Sequence, residues 1–410
     1  MIEGGISKLD LKRRNRMQVL KAVREKGPIS RVDIAALLQI TRAAVTIITN
    51  EMIDQHILEE VGEEPAEPNG STRKGRRKIL LDINETYKFV VGVYVDEKEI
   101  CIGLTTMNSA ALEKKTIAYR PGSLDIPTLV ELVWETTQHM LSASCLKPSD
   151  VLNVGVGIMP SMFQAMRYKT GLEQQIRFPE LQTQMEEKMG VPAYCNSAIT
   201  EFAMAGITFG ESHPQVENQV FLYCDSGQRY HAIPMLGGYT IPGLLENENY
   251  IEQLCVKLDG KKWEGYPNGS VRAELSSEAM QEEVAPFFSQ EQTPQLWKLL
   301  EGDLSRLTLG ELMTAAETDT VLQPVTDGLL LRFVILLYTL YSVYIAKYLC
   351  LFQFGFTPEN LEQLRACARE FGGDAFADAI LLSPIQERYR FLCGCAYAIQ
   401  TGFYERGGLA

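Results

Sequence analysis

Residues 30–53 read SRVDIAALLQITRAAVTIITNEMI, and the punctuation of this stretch decides what kind of fold begins the chain. Ser30 is a preferred helix N-cap, and Asp33, three residues on, can reach back toward the freed backbone amides. Val32, Ile34, Ala35, Leu37 and Leu38 then give a short helix its apolar face. Gln39 and Ile40 form a tight connection, and Thr41 caps a second helix. In that helix Ala44, Val45, Ile48 and Met52 recur at helical spacing and point inward. Thr41, Arg42, Thr46, Thr49 and Asn50 are left outside. Two short helices, the second with small and polar outward residues, match a DNA-reading helix–turn–helix. A recognition helix must enter the major groove, where bulky acidic residues at its start would clash with or repel phosphates. An ordinary helical hairpin has the same apolar spacing, so the flanks decide.

Upstream, Lys12, Arg13, Arg14 and Arg16 precede Met17, Val19, Leu20 and Val23, a helix with a basic start and an apolar stripe that Gly27-Pro28 ends. Downstream, Ile57 to Val61 reads as a strand and Lys78 to Ile83 as a second. Between them runs GEEPAEPNGSTRKGRR, residues 62–77. Strand, basic tip and strand after a helix–turn–helix make a wing. Arg73, Lys74, Arg76 and Arg77 at its tip suit phosphate contact or entry into a minor groove. A solvated loop is the alternative, and Glu63, Glu64 and Glu67 partly offset the charge, but four cations in five residues favour DNA.

The chain has 410 residues, room for two or three domains with a large core. Its net charge of −13 excludes nonspecific nucleic-acid binding by the whole surface. Residues 1–80 hold 15 Lys+Arg against 11 Asp+Glu, leaving 24 against 41 in the remainder. A basic head on an acidic body implies that only the head meets DNA. Nine scattered cysteines, with no signal peptide in view, read as reduced thiols in a cytoplasm. Cys393 and Cys395 form a C-x-C without a second pair or a nearby histidine, so no metal is assigned. The apolar run Phe333 to Phe352 contains Lys347 and several tyrosines and reads as a buried helix rather than a membrane span.

Beyond the head, Phe89 to Val95, Glu99 to Thr105 and Lys115 to Arg120 read as strands, Ile126 to Ser142 as a helix and Val151 to Ile158 as a further strand. With the head and the junction GRRKILLDIN…VVGVYV, this layout resembles the ROK family of transcriptional repressors and sugar kinases. VGVGIMP, Gly190-Val191-Pro192-Ala193 with Asn196, the helix ending ITFG, and Phe221 to Met235 followed by Gly237-Gly238 are similar to that family's successive segments. The resemblance implies a winged helix–turn–helix at 1–84 joined to a two-lobed actin-like ATPase (ribonuclease H-like) body. Its lobes would span 85–200 and 201–410, the last with a closing helix, Phe391 to Gly402, packed back. The fold class is multidomain, α+β and α/β.

The departures from the kinase pattern bear on function. The first phosphate-loop turn is Asp96-Glu97-Lys98-Glu99, without glycine and acidic. The catalytic aspartate falls at Ser197, a poor base on its own. The second phosphate loop, Asp225 to His231, has one glycine, and the zinc cluster is reduced to Cys255. The adenosine-side loop is Phe352-Gln353-Phe354-Gly355-Phe356, where rings would obstruct a nucleotide. Asp225, Arg229 and His231, close in sequence, line a cleft or face water rather than catalyse. The resemblance therefore implies a transcriptional regulator, a repressor, not an enzyme and without a cofactor. It would act as a homodimer or homotetramer on a palindromic operator, with Thr41, Arg42, Thr46 and Asn50 reading DNA beside the wing. Asn196 is the residue carried over for a sugar or sugar-phosphate effector bound between the lobes. An active carbohydrate kinase with a DNA-binding head, and a ligand-independent dimerising protein, stay open as alternatives.

Overall fold

The computed structural model describes residues 8–63, 77–120, 123–159, 162, 178–209, 218–224, 229–236, 239–240, 250–383 and 389–409. The chain divides into two compact units, Met1–Phe209 with Tyr389–Ala410, and Gly210–Arg388. Three of the wing cations, Arg73, Lys74 and Arg76, lie outside the described residues, as do Asp225 and the rest of the loop to Gln228.

The first unit begins with α1 (Lys8–Lys26), β1 (Ile29–Ser30), α2 (Arg31–Leu38), α3 (Arg42–Asp54), β2 (Leu58–Glu63) and β3 (Ile79–Ile83). Ser30 and Thr41 cap α2 and α3, their hydroxyls accepting from the amides of Asp33 and Ala44. Between the helices Gln39 takes a left-handed conformation, φ 55°, which turns the chain in a single residue. The strands form an antiparallel sheet in the order β1-β3-β2. Val19, Leu20 and Val23 of α1, Ile34 of α2, Val45, Ile48 and Met52 of α3, and Leu58 and Leu81 of the sheet share the buried interior. Thr49 corrects the expected outward face: it is fully buried. Residues 45, 48, 49 and 52 form one helical stripe, and geometry outranks the hydroxyl once that hydroxyl is bonded. It donates to the Thr46 carbonyl and accepts from Arg31.

A five-stranded mixed sheet follows, in the order β6-β5-β4-β7-β8. Its strands are β4 (Phe89–Val95), β5 (Glu99–Thr105), β6 (Ala111–Ala118), β7 (Val151–Ile158) and β8 (Ala193–Ser197), interleaved with α4 (Ile126–Ala143), α5 (Phe178–Met189) and α6 (Ala198–Phe209). Val91, Val93, Ile100 and Ile102 belong to the same core as Leu129 and Val133 of α4 and Leu181 and Met185 of α5. The closing helix, Leu392–Ile399, packs against β4, β7 and α6, followed by a π-helical turn, Gln400–Tyr404. The approach is that of backbone on backbone: a Cβ on Gly155 would lie 1.8 Å from the Gly394 carbonyl oxygen.

The second unit repeats this plan. Its sheet runs β11-β10-β9-β12-β13, with β9 (Asn218–Cys224), β10 (Tyr230–Leu236) and β11 (Tyr239–Thr240) antiparallel and β12 (Tyr348–Phe352) and β13 (Ile380–Leu382) parallel to β9. Against it lie α7 (Gln323–Val343) and α8 (Pro358–Gly372). The apolar run Phe333–Phe352 is not one helix: α7 ends at Val343, Ile345 turns at φ 49°, and Tyr348–Phe352 is the interior strand β12. α7 is long and apolar enough to cross a bilayer, but Phe333, Val334, Leu336, Leu337 and Leu340 are buried in this unit's core. The rings of Phe352 and Phe354 also turn inward. Phe352 lies 5.6 Å from Tyr223, and Phe354 lies 5.2 Å from Phe333, so both rings pack into the core from the floor of this loop.

One buried charge-bearing group stands out in the first unit. Glu201 of α6 is fully buried beside Gly157 and Cys393, and the Cys393 thiol is the weak hydrogen-bonding neighbour of its carboxyl group. Burial holds its carboxyl well above the usual carboxylate range. A raised folded pKa means the group supports folding fully below about pH 4.3, where the unfolded chain also carries the proton, and loses that contribution as pH climbs toward the folded value. Glu201→Gln should abolish a slope of up to about 1.4 kcal/mol per pH unit in this window. Urea unfolding of both proteins at pH 5, 6 and 7 checks this; parallel pH profiles would refute it.

Candidate nucleic-acid interface

α3 is the element whose outward face the sequence nominated, and its four outward polar residues are not equivalent. Thr41 spends its hydroxyl on the cap, accepting from the Ala44 amide at 3.2 Å. Thr46 donates its own to the Arg42 carbonyl at 2.8 Å. Asn50 accepts from Arg31 Nη2 at 3.2 Å through Oδ1, leaving its amide donors outward. Arg42 is exposed and has no hydrogen-bond or ion-pair partner among the described residues. Of the four, it is the charged group, and its whole guanidinium is open to a partner. No acidic residue stands in the first turn of α3 to oppose an anion. Arg77 is exposed at the base of the strand pair, 3.8 Å from Glu63.

Two arginines that position this face received no role from sequence. Arg31, the first residue of α2, bonds Thr49 Oγ1 at 3.1 Å and Glu60 at 2.9 Å besides Asn50, and so ties α2, α3 and β2 together. A signal existed: a cation in the first turn of a helix opposes the dipole and calls for an anionic partner nearby. Across the same junction Lys78 reaches Asp33 at 3.0 Å, and the Ser30 hydroxyl together with Lys78 holds the Asp33 carboxyl below its usual range.

Arg16 of α1 is fully buried. Its Nε donates to the Gly407 carbonyl at 2.7 Å, its Nη2 to Gln55 at 2.7 Å, and its Nη1 pairs with Glu51 at 3.3 Å. Burial lowers the pKa of its guanidinium, and Glu51 opposes that shift. Arg13 donates twice to the Glu405 carbonyl, and Arg24 bonds Gln400 and stacks 4.3 Å over the Tyr404 ring. These three basic residues of α1 therefore contact the chain's closing segment. Glu51 and Gln55 adjoin the C-terminal end of α3, so Arg16 joins that helix to the closing segment through one guanidinium.

In the body, the Asp96 carboxylate receives the amides of Lys98 and Glu99 at 2.8 and 2.9 Å and pairs with Arg390 at 3.2 Å. The Tyr119 hydroxyl donates to the Asp96 carbonyl. The corner expected to face phosphate is closed upon itself. Asn196 sits near the end of β8, its Oδ1 accepting from the Ser197 amide at 2.7 Å, with the Tyr397 hydroxyl beside it. In the second unit Glu274, fully buried, accepts the Lys261 amide at 2.5 Å and pairs with Arg332 at 3.2 Å. That carboxylate gathers the segment around Cys255, which pairs in a bridge with Ser270. Among the described residues no three metal-ligating side chains converge. Phe352, Gln353, Phe354, Gly355, Phe356 and Ser383 border a small open pocket at the carboxyl ends of the parallel strands β12 and β13, the edge where α/β sheets hold ligands.

Replacing Arg16 by Met leaves the Gly407 carbonyl and Gln55 without their donor, while Glu51 keeps Lys12 at 2.7 Å, and a cost of about 1–3 kcal/mol follows. Arg16→Lys retains the charge without the fork and should recover only part of it. Thermal melts of the three proteins check the ranking; a Met variant as stable as wild type would refute it.

No family model matches the chain. Among curated proteins it is 23% identical to the xylose repressor of Caldicellulosiruptor bescii over 203 residues, 49% of each chain. It is 23% identical to the Escherichia coli DNA-binding transcriptional repressor Mlc over 210 residues, 49% of this chain and 48% of that one. With the E. coli dual regulator NagC the identity is 26% over 219 residues, 52% of each. The chain thus spans about half the length of the curated relatives it matches. Among solved structures, a ROK family transcriptional regulator, a homologue of E. coli Mlc, superposes with a TM-score of 0.72 at 18% identity over 97% of both chains. The ROK hexokinase of Thermus thermophilus superposes at 0.55 and 16%, covering 76% of this chain and 99% of its own. The fold is therefore that of the ROK regulators and kinases, and by sequence the chain's relatives are the ROK-family repressors.

Proposed function

We propose that the chain is a DNA-binding transcriptional regulator of the repressor kind, with a winged helix–turn–helix head at 1–84 and an actin-like body whose lobes part at 209 rather than at 200, the closing segment 389–410 belonging to the first lobe and not to the second. The observation that carries this reading is α3 itself. It is a capped helix without acidic residues in its first turn, its Arg42 donors free and its flank braced by Arg31. A single helix reads only a few base pairs, so two heads on a palindromic operator are needed, from a homodimer or homotetramer. Thr41, Thr46 and Asn50 flank Arg42 at the DNA, and Arg73, Lys74, Arg76 and Arg77 supply phosphate contacts from the wing.

The body senses rather than phosphorylates. Supporting this, Ser197 stands where a base would be required, and the Asp96 corner spends its polar groups on itself and on Arg390. The relatives named for xylose and N-acetylglucosamine support a sugar or sugar-phosphate effector, with Asn196 as the contact carried forward. No cofactor is assigned, and the protein works in the cytoplasm.

Selection of bound fragments from the source genome, followed by anisotropy at two salt concentrations, tests the reading. A palindromic fragment should emerge, and Arg42→Ala should weaken it at least tenfold. If Arg42 lies on phosphate rather than on a base, the variant should also lower the salt slope by about one. No enriched fragment, or binding indifferent to Arg42, would overturn the assignment. ATP turnover on a panel of hexoses would overturn the kinase-dead body.

A further inference from the structure

The outward face of α3 is not polar throughout. Ile47 is 68% exposed at its centre, and Ala43, four residues earlier on the same face, is exposed as well. Among the described residues nothing in the head packs on this surface: the interior of α3 is the stripe Val45, Ile48, Thr49 and Met52. The polar residues around it are partly engaged within the head. The Thr46 hydroxyl is bonded to the Arg42 carbonyl, and the Asn50 oxygen to Arg31. What α3 offers a partner is therefore one free guanidinium at its start, an apolar patch one turn further on, and the Asn50 amide donors beyond.

Resting on the reading of this helix as the DNA-recognition element, we propose that Ala43 and Ile47 read the 5-methyl group of a thymine in each half-site. In the major groove that methyl is the apolar feature a base edge presents. An isoleucine there is selective because it gains apolar contact with the thymine methyl, a group that cytosine, guanine and adenine lack. Arg42, at the helix start, supplies the charge complementarity that brings the patch to the duplex. Specificity at this position is then steric and apolar, whereas the contacts of Arg42 are ionic, and the two respond differently to salt.

Replacing each thymine of the selected operator by deoxyuridine, one symmetric pair at a time, deletes the methyl and nothing else. For the full-length wild type, one pair should cost about three- to fivefold per half-site, the size of burying one methyl-sized group. Ile47→Ala should bind the thymine operator about as weakly as wild type binds that uracil operator, and should lose no more on the second substitution. Alanine is the best helix former at an exposed site, and an unchanged salt slope confirms a folded variant. Indifference of wild type to every thymine methyl, or a full-sized loss persisting in Ile47→Ala, would overturn the proposal while leaving a sequence-selective, Arg42-dependent regulator intact. Absence of any selected sequence would instead overturn the reading of the head, and this proposal with it.

Discussion

A helix can lie on a sheet at backbone distance only where neither surface carries a Cβ. Gly155 in β7 and Gly394 in the closing helix meet in this way, and Gly92 of β4 faces the same helix. The contact has a long reach in sequence. It pins the last residues of the chain to a sheet built from residues 89–197, and so fixes where the Glu405 and Gly407 carbonyls point. Those carbonyls receive Arg13 and Arg16 of α1. The head is thus mounted on the body through the far end of the chain, in addition to the peptide that joins β3 to β4. Removing the tail would release a guanidinium that has no exposure to water.

A buried arginine is weak evidence of net stability, because its desolvation offsets most of what its partners return. Its worth lies in direction. A planar fork satisfied by a carbonyl, an amide oxygen and a carboxylate at three different places has few alternative arrangements. Arg16 is satisfied at Gly407, Gln55 and Glu51, and two of those belong to the C-terminal end of α3 and its cap. Arg31 repeats the device at the middle of the same helix, joining Thr49, Asn50 and Glu60. The helix that presents Arg42 is held from behind at two levels, leaving its first turn open.

Much of this was legible from residues alone where local rules decide. The caps at Ser30 and Thr41 and the strand Val151–Ile158 follow from short-range chemistry and apolar runs, and they stand where the sequence puts them. Thr49 was not legible, because hydroxyl polarity argues for the outside while its buried bond to Arg31 depends on a residue 18 positions away. The run Phe333–Phe352 was misread for a related reason: a core helix and a core strand are both continuously apolar, and the break at Ile345 carries no glycine or proline to mark it. Ile47 was passed over because one exposed isoleucine on a helix is ordinary until the groups around it are seen to be engaged.

The two sheets share one plan, three antiparallel strands followed by two parallel ones, yet their chemistry has diverged along separate lines. In the first, the hairpin corner at Asp96 satisfies its own amides and takes a cation from Arg390, a residue of the closing segment. In the second, a buried carboxylate, Glu274, gathers the segment around Cys255 with the help of Arg332. Each corner is held by an ion pair internal to its own unit. Polar atoms that are paired within a fold keep its shape without a ligand, and the same pairing removes them from phosphate or metal recognition. In α3 the balance runs the other way, with Arg42 unpaired and Ile47 uncovered. Among the described residues, Arg42 and Ile47 are thus the groups that α3 leaves open to a partner.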